Sequence, residues 1–589
     1  MHCPEKLTLF LALSLTPALS ALLLRSQQPQ TSRLGQTLNR VFALINHILE
    51  RMQAGYQRVL RQIIRFKMVV IGLFIVSLGA TGWLYLTVPT AFIPDEDQGY
   101  VMNIIQGPEG TTQEYTGEVI DQVDQKMLQI PGVDSTFSLG GVGFTGNIAN
   151  SGISYITLKP WNERTVEESA QALLNSAYES TANISQASVF AINPPAIMGL
   201  GSVGGFVFQL QDRTGGDLND LLHIKDALIA RANQRPELQE VFSTFTANAP
   251  KKIIEIDRDR AKALQVDVND ILSTLQILIG SHYVNDFNAF NRTYRVYVQA
   301  DSQFRSNPRD VEQLYMRSRA GEMIPLANLI KMTPTTGAQT VTHYNLFRSI
   351  EINGMAAPGY SSGQAIAAME QIAAEVLPRT MGFEWSGISL EEISSSGQAP
   401  LIFGLGLIFV FLVLAAQYEN FIDPLIIMLA VPLAILGALL AQSMRGLAND
   451  VYCQVGLVML IGLASKNAIL IVEFANQLRE ELSIAKAAME AAIARLRPIL
   501  MTALSTLIGI FPLMVATGAG SASCQSIGTA VFGGILVATF LSLFVVPVLY
   551  IVINTLRFYL PKITAELKTV YFKAPFGHFQ ELMSISRKK

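Results

Sequence analysis

One lysine stands where a charge is expensive. Lys466 interrupts the apolar run Leu457-Val-Met-Leu-Ile-Gly-Leu-Ala-Ser-Lys466-Asn467-Ala-Ile-Leu-Ile-Val-Glu473. A lysine at the centre of a membrane-crossing helix costs roughly 2.5–3.5 kcal/mol on insertion scales, so it is normally paired and functional. Snorkelling is the bland alternative, but near mid-span the stem falls short of both interfaces. Arg495 and Thr502 lie two turns apart on one face of the next span and would extend a polar file toward Lys466. Singly, such a threonine back-bonds to its own helix and such an arginine marks topology; it is the combination with Lys466 that gives the file functional weight. No span carries a carboxylate near its middle: Glu473 is two turns nearer one end, Glu419 and Asp423 flank a turn, and Asp450 sits at the other end. Either desolvation keeps Lys466 neutral, or another polypeptide supplies the acid.

Other chemistry is weakly signalled. Gly141-Val-Gly-Phe-Thr-Gly146 fits GxGxxG, but a dinucleotide fingerprint must open an apolar helix, and Asn147-Ile-Ala-Asn-Ser-Gly152 leads into another strand instead. A glycine-rich hairpin is the bland reading, and a mobile gate carrying Phe144 the functional one. Cys3, Cys453 and Cys524 have no metal or disulfide spacing. There is no HExxH, phosphate-binding loop or GxSxG, so the chain reads as a non-enzyme with no cofactor.

The elements that must position Lys466 are membrane helices. The 589 residues are 50% hydrophobic and only 15% charged, and their mean hydropathy is +0.34, too apolar for an ordinary soluble protein. About 20 apolar residues cross a bilayer, and residues 68–88, 399–417, 424–444, 451–472, 499–516 and 527–554 qualify. Residues 7–24 form a seventh stretch, readable as a membrane helix cut short or as a signal peptide with Ala18-Leu19-Ser20 at its cleavage site. Residues 25–67 hold eight basic side chains and one acid, residues 476–498 four basics, and residues 557–589 seven. The positive-inside rule puts these on the cytoplasmic side. Residues 90–398, with 35 acids against 21 basics, then lie outside as one large insert.

Within the insert, strand and helix patterns alternate: strand 100–106, helix 112–128 with a Thr111-x-x-Glu114 capping box, strands 135–139 and 153–158, and a helix near 166–180. A second round follows with strand 205–211, helix 218–233 and strands 241–246 and 252–257. Residues 283–332 are strand-rich, and strand 350–353 with helix 363–376 closes the set, which reads as split βαβ architecture.

The chain resembles the resistance-nodulation-division superfamily in its hydrophobe/amphiphile efflux branch. The resemblance rests on Thr16-Pro-Ala-Leu19, Phe92-Ile-Pro-Asp-Glu-Asp-Gln-Gly99, Ser281-His-Tyr-Val-Asn-Asp-Phe287, Asn449-Asp-Val-Tyr452, Leu463-Ala-Ser-Lys-Asn-Ala-Ile-Leu-Ile-Val-Glu-Phe474, Arg495-Leu-Arg-Pro-Ile-Leu-Met-Thr502 and Gly518-Ala-Gly-Ser521, in family order across residues 7–555. It implies an α-helical membrane bundle plus an α+β periplasmic insert of split βαβ (ferredoxin-like) porter subdomains with a docking subdomain. The implied division is a last helix of a first repeat (1–24), an amphipathic cytoplasmic connector (25–67), a transmembrane helix (68–88), porter subdomain 1 (90–200), porter subdomain 2 (201–280 and 345–390), a docking subdomain (281–344), a five-helix bundle (399–555) and a basic tail (556–589).

By the same resemblance the chain is the C-terminal half of a proton-driven multidrug exporter in the bacterial inner membrane, and the aspartates that would face its lysine lie in an absent first repeat. Lys466, Arg495 and Thr502 match the relay; Phe137, Val142, Phe144 and Tyr155 match the drug pocket; Gly140, Gly141, Gly143 and Gly146 frame its switch loop. Val142 departs from the phenylalanine often found there. The proton motive force replaces any cofactor. Partners implied are the N-terminal repeat if separately encoded, a periplasmic adaptor, an outer-membrane channel, two further copies in a homotrimer, and small amphiphilic drugs, but no nucleic acid. Alternatives are an inactive fragment of a split or decayed pump gene, or a relative exporting metal ions or lipids.

Overall fold

The computed structural model describes residues 14–23, 33–143, 146–197, 199–201 and 203–573. Three helices come first: α1 (Thr16–Leu23), α2 (Arg33–Arg65) and α3 (Lys67–Thr87). The apolar stretch 7–24 lies partly outside the described residues. In α2, Tyr56 and Leu60 are buried one turn apart, and the Tyr56 hydroxyl donates to the Leu543 carbonyl at 2.6 Å, so the connector is pinned onto the membrane bundle.

The insert opens with β1 (Tyr100–Gln106), α4 (Gln113–Met127), β2 (Val133–Gly140), β3 (Ser151–Leu158), α5 (Ala170–Thr181) and β4 (Ser188–Ile192). They form an antiparallel sheet in the order β2-β3-β1-β4. Alternation along β1 sends Val101 and Ile105 to Val119, Val123, Leu174 and Ala177 of the helices, and Met102 and Ile104 to the opposite face. Thr112 caps α4 by accepting from the Tyr115 N–H, whereas Thr111 donates to the Pro108 carbonyl at 2.8 Å. The expected capping box therefore sits one residue off, and no acid completes it.

The second unit repeats this plan: β5 (Phe206–Asp212), α6 (Leu218–Ala232) and β6 (Leu238–Phe242). The chain then leaves for a long excursion through β7 (Ala249–Ile256), α7 (Arg258–Ala263), α8 (Val268–Leu275), the hairpin β8 (His282–Ala289) and β9 (Arg292–Val298), α9 (Pro308–Glu312), β10 (Tyr315–Arg317), β11 (Met323–Pro325) and β12 (Ile330–Gly337). It returns with β13 (Thr342–Tyr344), β14 (Phe347–Ala356), α10 (Ser362–Val376) and β15 (Met381–Ser386). Strand β14 lies between β6 and β5, and β15 flanks β5, so strand order and connectivity match the first unit. The strand expected at 241–246 falls at Leu238–Phe242. The one expected at 252–257 leaves this sheet, because β7 pairs with β12 over a separate core containing Ile271 and Leu329.

After α11 (Gly387–Ser396), the chain builds a bundle from α12 (Ala399–Tyr418), α13 (Ile422–Met428), α14 (Val431–Met444), α15 (Val451–Leu478), α16 (Ile484–Met514) and α17 (Ser521–Lys573). Pro432 at the start of α14 divides one expected span in two, since it lacks the N–H an unbroken helix needs. Among the described residues six segments are long and apolar enough to cross a membrane, matching the six clear stretches. Packing of α14 on α17 needs glycine: a Cβ on Gly437 would stand 2.5 Å from the Gly533 carbonyl oxygen, the close backbone approach that small residues permit between membrane helices.

Backbone bonds at Asn449–Pro89 (2.8 Å) and Val451–Phe92 (3.1 Å) tie the insert to the bundle. Buried Glu96 accepts from the N–H groups of Ala522 (3.2 Å) and Ser523 (2.8 Å) and from the Ser523 hydroxyl, capping α17. This gives Phe92–Gly99 and Gly518–Ser521 a mechanical role as a joint.

Candidate functional site

Lys466 lies on α15, on a face the bundle leaves exposed. Among the described residues it has no hydrogen bond and no ion pair, and a helical lysine with lipid around it would bear the full desolvation cost. Beside it opens a cavity of about 20 Å³, lined by Leu463, Asn467, Thr502, Ala503, Thr506, Ile535 and Thr539, room for about one water. Three helices supply the polar groups. Asn467 Nδ2 donates to Thr539 Oγ1 at 3.2 Å. Thr502 donates to the Ile499 carbonyl at 3.1 Å, and Thr506 to the Thr502 carbonyl at 2.8 Å. The two threonines are one turn apart, so their hydroxyls line a stripe facing the ammonium side of α15. Each threonine bonds its own backbone and keeps acceptor capacity for a water beside Lys466.

Thr502 thus joins Lys466, and Arg495 does not. Its guanidinium carbon sits 4.5 Å from the Phe474 ring centroid, and its buried Nε has no partner among the described residues. Cation–π contact is worth up to about 2 kcal/mol when desolvated and holds Arg495 closer to the end of the span. Asn467, Thr506 and Thr539 escaped the sequence reading. Thr506 was detectable at i+4 from Thr502; Thr539 lies on a different helix, and no local pattern announces it.

In the first outer unit, pairing register puts Phe137 opposite Tyr155 and Tyr155 opposite Met102, one row across the sheet face away from the helices. Phe137 and Tyr155 ring centroids are 6.2 Å apart, Tyr155 and Tyr100 6.3 Å, and Phe137 is 60% exposed. Val142 is half-buried beyond the end of β2. Phe144 lies outside the described residues. Gly140 ends β2, Gly141 has φ +79 and Gly146 φ +127, and Gly143 pairs with Gly146. This tight hairpin leads into β3, not a helix, which removes the dinucleotide reading. Gly141 and Gly146 occupy backbone conformations that side chains resist.

A cleft of about 260 Å³ separates the two units. Gly143, Ile148 and Ser151 line one wall, and Phe245, Glu351 and Asn353 the other, while Phe137, Val142 and Tyr155 lie away from it. Glu109 accepts from the Thr246 hydroxyl and from Gln339 at 2.7 Å; Glu351 accepts from Gln209 at 3.1 Å and Asn353 at 2.9 Å. Two carboxylates held by neutral donors give the cleft a negative field suited to a cationic guest.

Elsewhere in the insert, burial pushes Asp97 up, but the hydrogen bond from Arg164 at 2.9 Å and one from the Gly99 N–H hold it below the usual carboxylate range. Burial pushes Glu392 up to about 7, partly offset by the Ser362 hydroxyl at 3.0 Å. Glu392 sits just before α12, where the insert meets the bundle. Among the described residues no cluster of His, Cys, Asp and Glu is arranged to hold a metal ion.

Residues 6–554 match the AcrB/AcrD/AcrF family. The chain is 41% identical over 556 residues to the multidrug/solvent efflux pump membrane transporter MepB of Pseudomonas putida, covering 93% of this chain and 52% of that protein. It is 39% identical over 556 residues to the multidrug resistance protein MdtF of Escherichia coli O157:H7, covering 93% and 53%. It is also 39% identical over 562 residues to the multidrug export protein AcrF of Escherichia coli strain K12, again covering 93% and 53%. The chain spans about half the length of the curated relatives it matches. With a family match over most of its residues, six apolar helices and a two-unit α+β insert, this chain belongs to the AcrB/AcrD/AcrF family of the resistance-nodulation-division superfamily.

Proposed function

We propose that this chain forms the Lys466-bearing portion of a proton-driven exporter of hydrophobic and amphiphilic compounds in the bacterial inner membrane. The observation that carries the proposal is Lys466 itself: a lysine within an apolar span, beside a polar cavity, with no carboxylate partner among the described residues. An acid outside residues 1–589, on a preceding segment or a separate polypeptide, would face it. Protonation of that acid releases the lysine, and the helices shift. Thr502 and Thr506 hold the intervening water, while Arg495, held on Phe474, stands apart from the file.

The insert lies in the periplasm. Its two units, with matching β-α-β-β-α-β order, act as ferredoxin-like porter subdomains, and the excursion from β7 to β12 as a docking subdomain, which starts ahead of the expected 281 because β7 pairs with β12 and stops short of the expected 344 because β13 pairs with β14 of the second unit. The relatives named for multidrug and solvent efflux support amphiphilic cargo. Phe137, Phe144 and Tyr155 supply an aromatic drug surface with Val142 as an aliphatic member, and the Gly140–Gly146 hairpin switches access to the cleft. A homotrimer with a periplasmic adaptor and an outer-membrane channel completes the route outward.

The test is drug efflux in a pump-deleted bacterium, comparing this chain alone, this chain with a segment supplying the remaining family length, and that pair carrying Lys466→Ala. Efflux by the pair, abolished by Lys466→Ala with membrane expression unchanged, supports the reading. Efflux by the chain alone, or persistence in the variant, refutes the shared relay.

A further inference from the structure

Helix α2 carries three distinct stripes. Tyr56 and Leu60 are buried against the bundle, at 8% and 0% exposure. Next to them runs an exposed apolar stripe, Met52, Val59 and then Phe66 just past the helix end, at 48%, 48% and 56% exposure. Beyond that run Arg51, Arg58 and Arg65, all exposed and all without an ion pair or hydrogen bond among the described residues. Both outer stripes repeat every seventh residue. Seven residues are close to two turns, so each row drifts only ~20° per step around the helix. Arg61 lies about 40–60° farther round, outside the row.

This arrangement has one natural neighbour. The apolar stripe runs directly into α3, whose Met68 and Val69 are 72% and 59% exposed at the start of a membrane span. A helix whose apolar stripe meets the acyl boundary holds its adjoining basic stripe at headgroup depth. Three guanidinium groups spaced about 10 Å apart by the helix rise then meet phosphate, which arginine binds bidentately.

We propose that Arg51, Arg58 and Arg65 form a binding row for anionic phospholipid headgroups on the inner leaflet, anchoring the connector independently of drug or proton traffic. A basic side chain at an anionic surface contributes about fivefold in affinity, so three in register contribute on the order of a hundredfold at low salt, less as the screening length shortens.

The test is native mass spectrometry of the detergent-solubilised full chain, titrated with phosphatidylglycerol and, separately, phosphatidylcholine. The expected result is a preference of about tenfold or more for phosphatidylglycerol. Arg51→Gln/Arg58→Gln/Arg65→Gln abolishes it, the corresponding lysine triple keeps most of it, and Arg61→Gln leaves it within about twofold. If the glutamine triple aggregates, Arg58→Gln alone carries the test with a loss of about fivefold. Retention of the preference by the glutamine variants, or an equal loss from Arg61→Gln, overturns the row.

Discussion

Replacing Glu96 should loosen the first turn of α17 by a readable amount. Its carboxylate receives two backbone N–H groups and one hydroxyl at a helix N-terminus, and the side chain is 9% exposed. A hydrogen bond to a charged group contributes about 1.5–3 kcal/mol, and an anion at a partly buried helix start adds up to about 2 kcal/mol. These contributions overlap, so Glu96→Ala should cost about 3 kcal/mol of local stability, roughly a hundredfold in local opening. Glu96→Gln keeps an acceptor in place and should lose about 1 kcal/mol, roughly fivefold. Hydrogen exchange at the amides of Ala522 and Ser523 reads this directly, because local opening reports where a single global unfolding energy is ill-defined. Amides deep in α15 serve as the internal control and should not change. Unaltered protection in the alanine variant would refute the cap, and equal losses in both variants would refute the role of charge.

Three further outcomes follow from the same contacts. Gly437→Val places a side chain 2.5 Å from the Gly533 carbonyl oxygen and 2.6 Å from Val537 Cβ; it should force α14 off α17 at a cost of about 1–3 kcal/mol or more, seen as a lower thermal aggregation midpoint in detergent. Glu392 prefers its proton in the folded joint, so the joint is firmest at acid pH and weakens as pH climbs from the ordinary carboxylate value near ~4.3 through about 7. Protection of amides 361–364 should fall by up to roughly thirtyfold between pH 5.5 and 8 after intrinsic correction, and Glu392→Gln should flatten that profile. Phe137→Ala removes a ring that is 60% exposed; stability should stay within about 0.5 kcal/mol, while resistance conferred by the assembled pump to bulky aromatic compounds should drop, and an unchanged resistance spectrum would exclude Phe137 from the drug path.

How much of this could be read in the sequence depended on the range of each interaction. The spans were legible because twenty apolar residues have few other fates, and Lys466 was legible because a charge among them is costly. Helix α4 was visible, but its cap was misplaced by one residue because Thr111 and Thr112 are adjacent candidates and only the Pro108 carbonyl decides between them. Strand β4, five residues long, carries too little pattern to stand out beside α5. The pairing of β7 with β12 joins residues far apart in the chain, and register between distant strands has no local signature. Helical spacing and the family resemblance both put Arg495 in line with Lys466, whereas its attachment to Phe474 depends on how α15 and α16 cross, which neither specifies.

The two outer units share one strand order, yet they should not assemble at the same speed. In the first, β2 and β3 are separated by residues 141–150; in the second, the equivalent strands β6 and β14 are separated by residues 243–346. Closing a gap roughly ten times longer costs about 2 kcal/mol more in chain entropy. At ordinary translation speeds the intervening hundred or so residues take about 5–20 s to emerge. During that interval the first sheet can close while β5 and β6 wait with the edge meant for β14 unpaired. Nascent chains stalled between residues 243 and 346 should therefore present a sticky sheet edge, and the second unit rather than the first is where quality control would act.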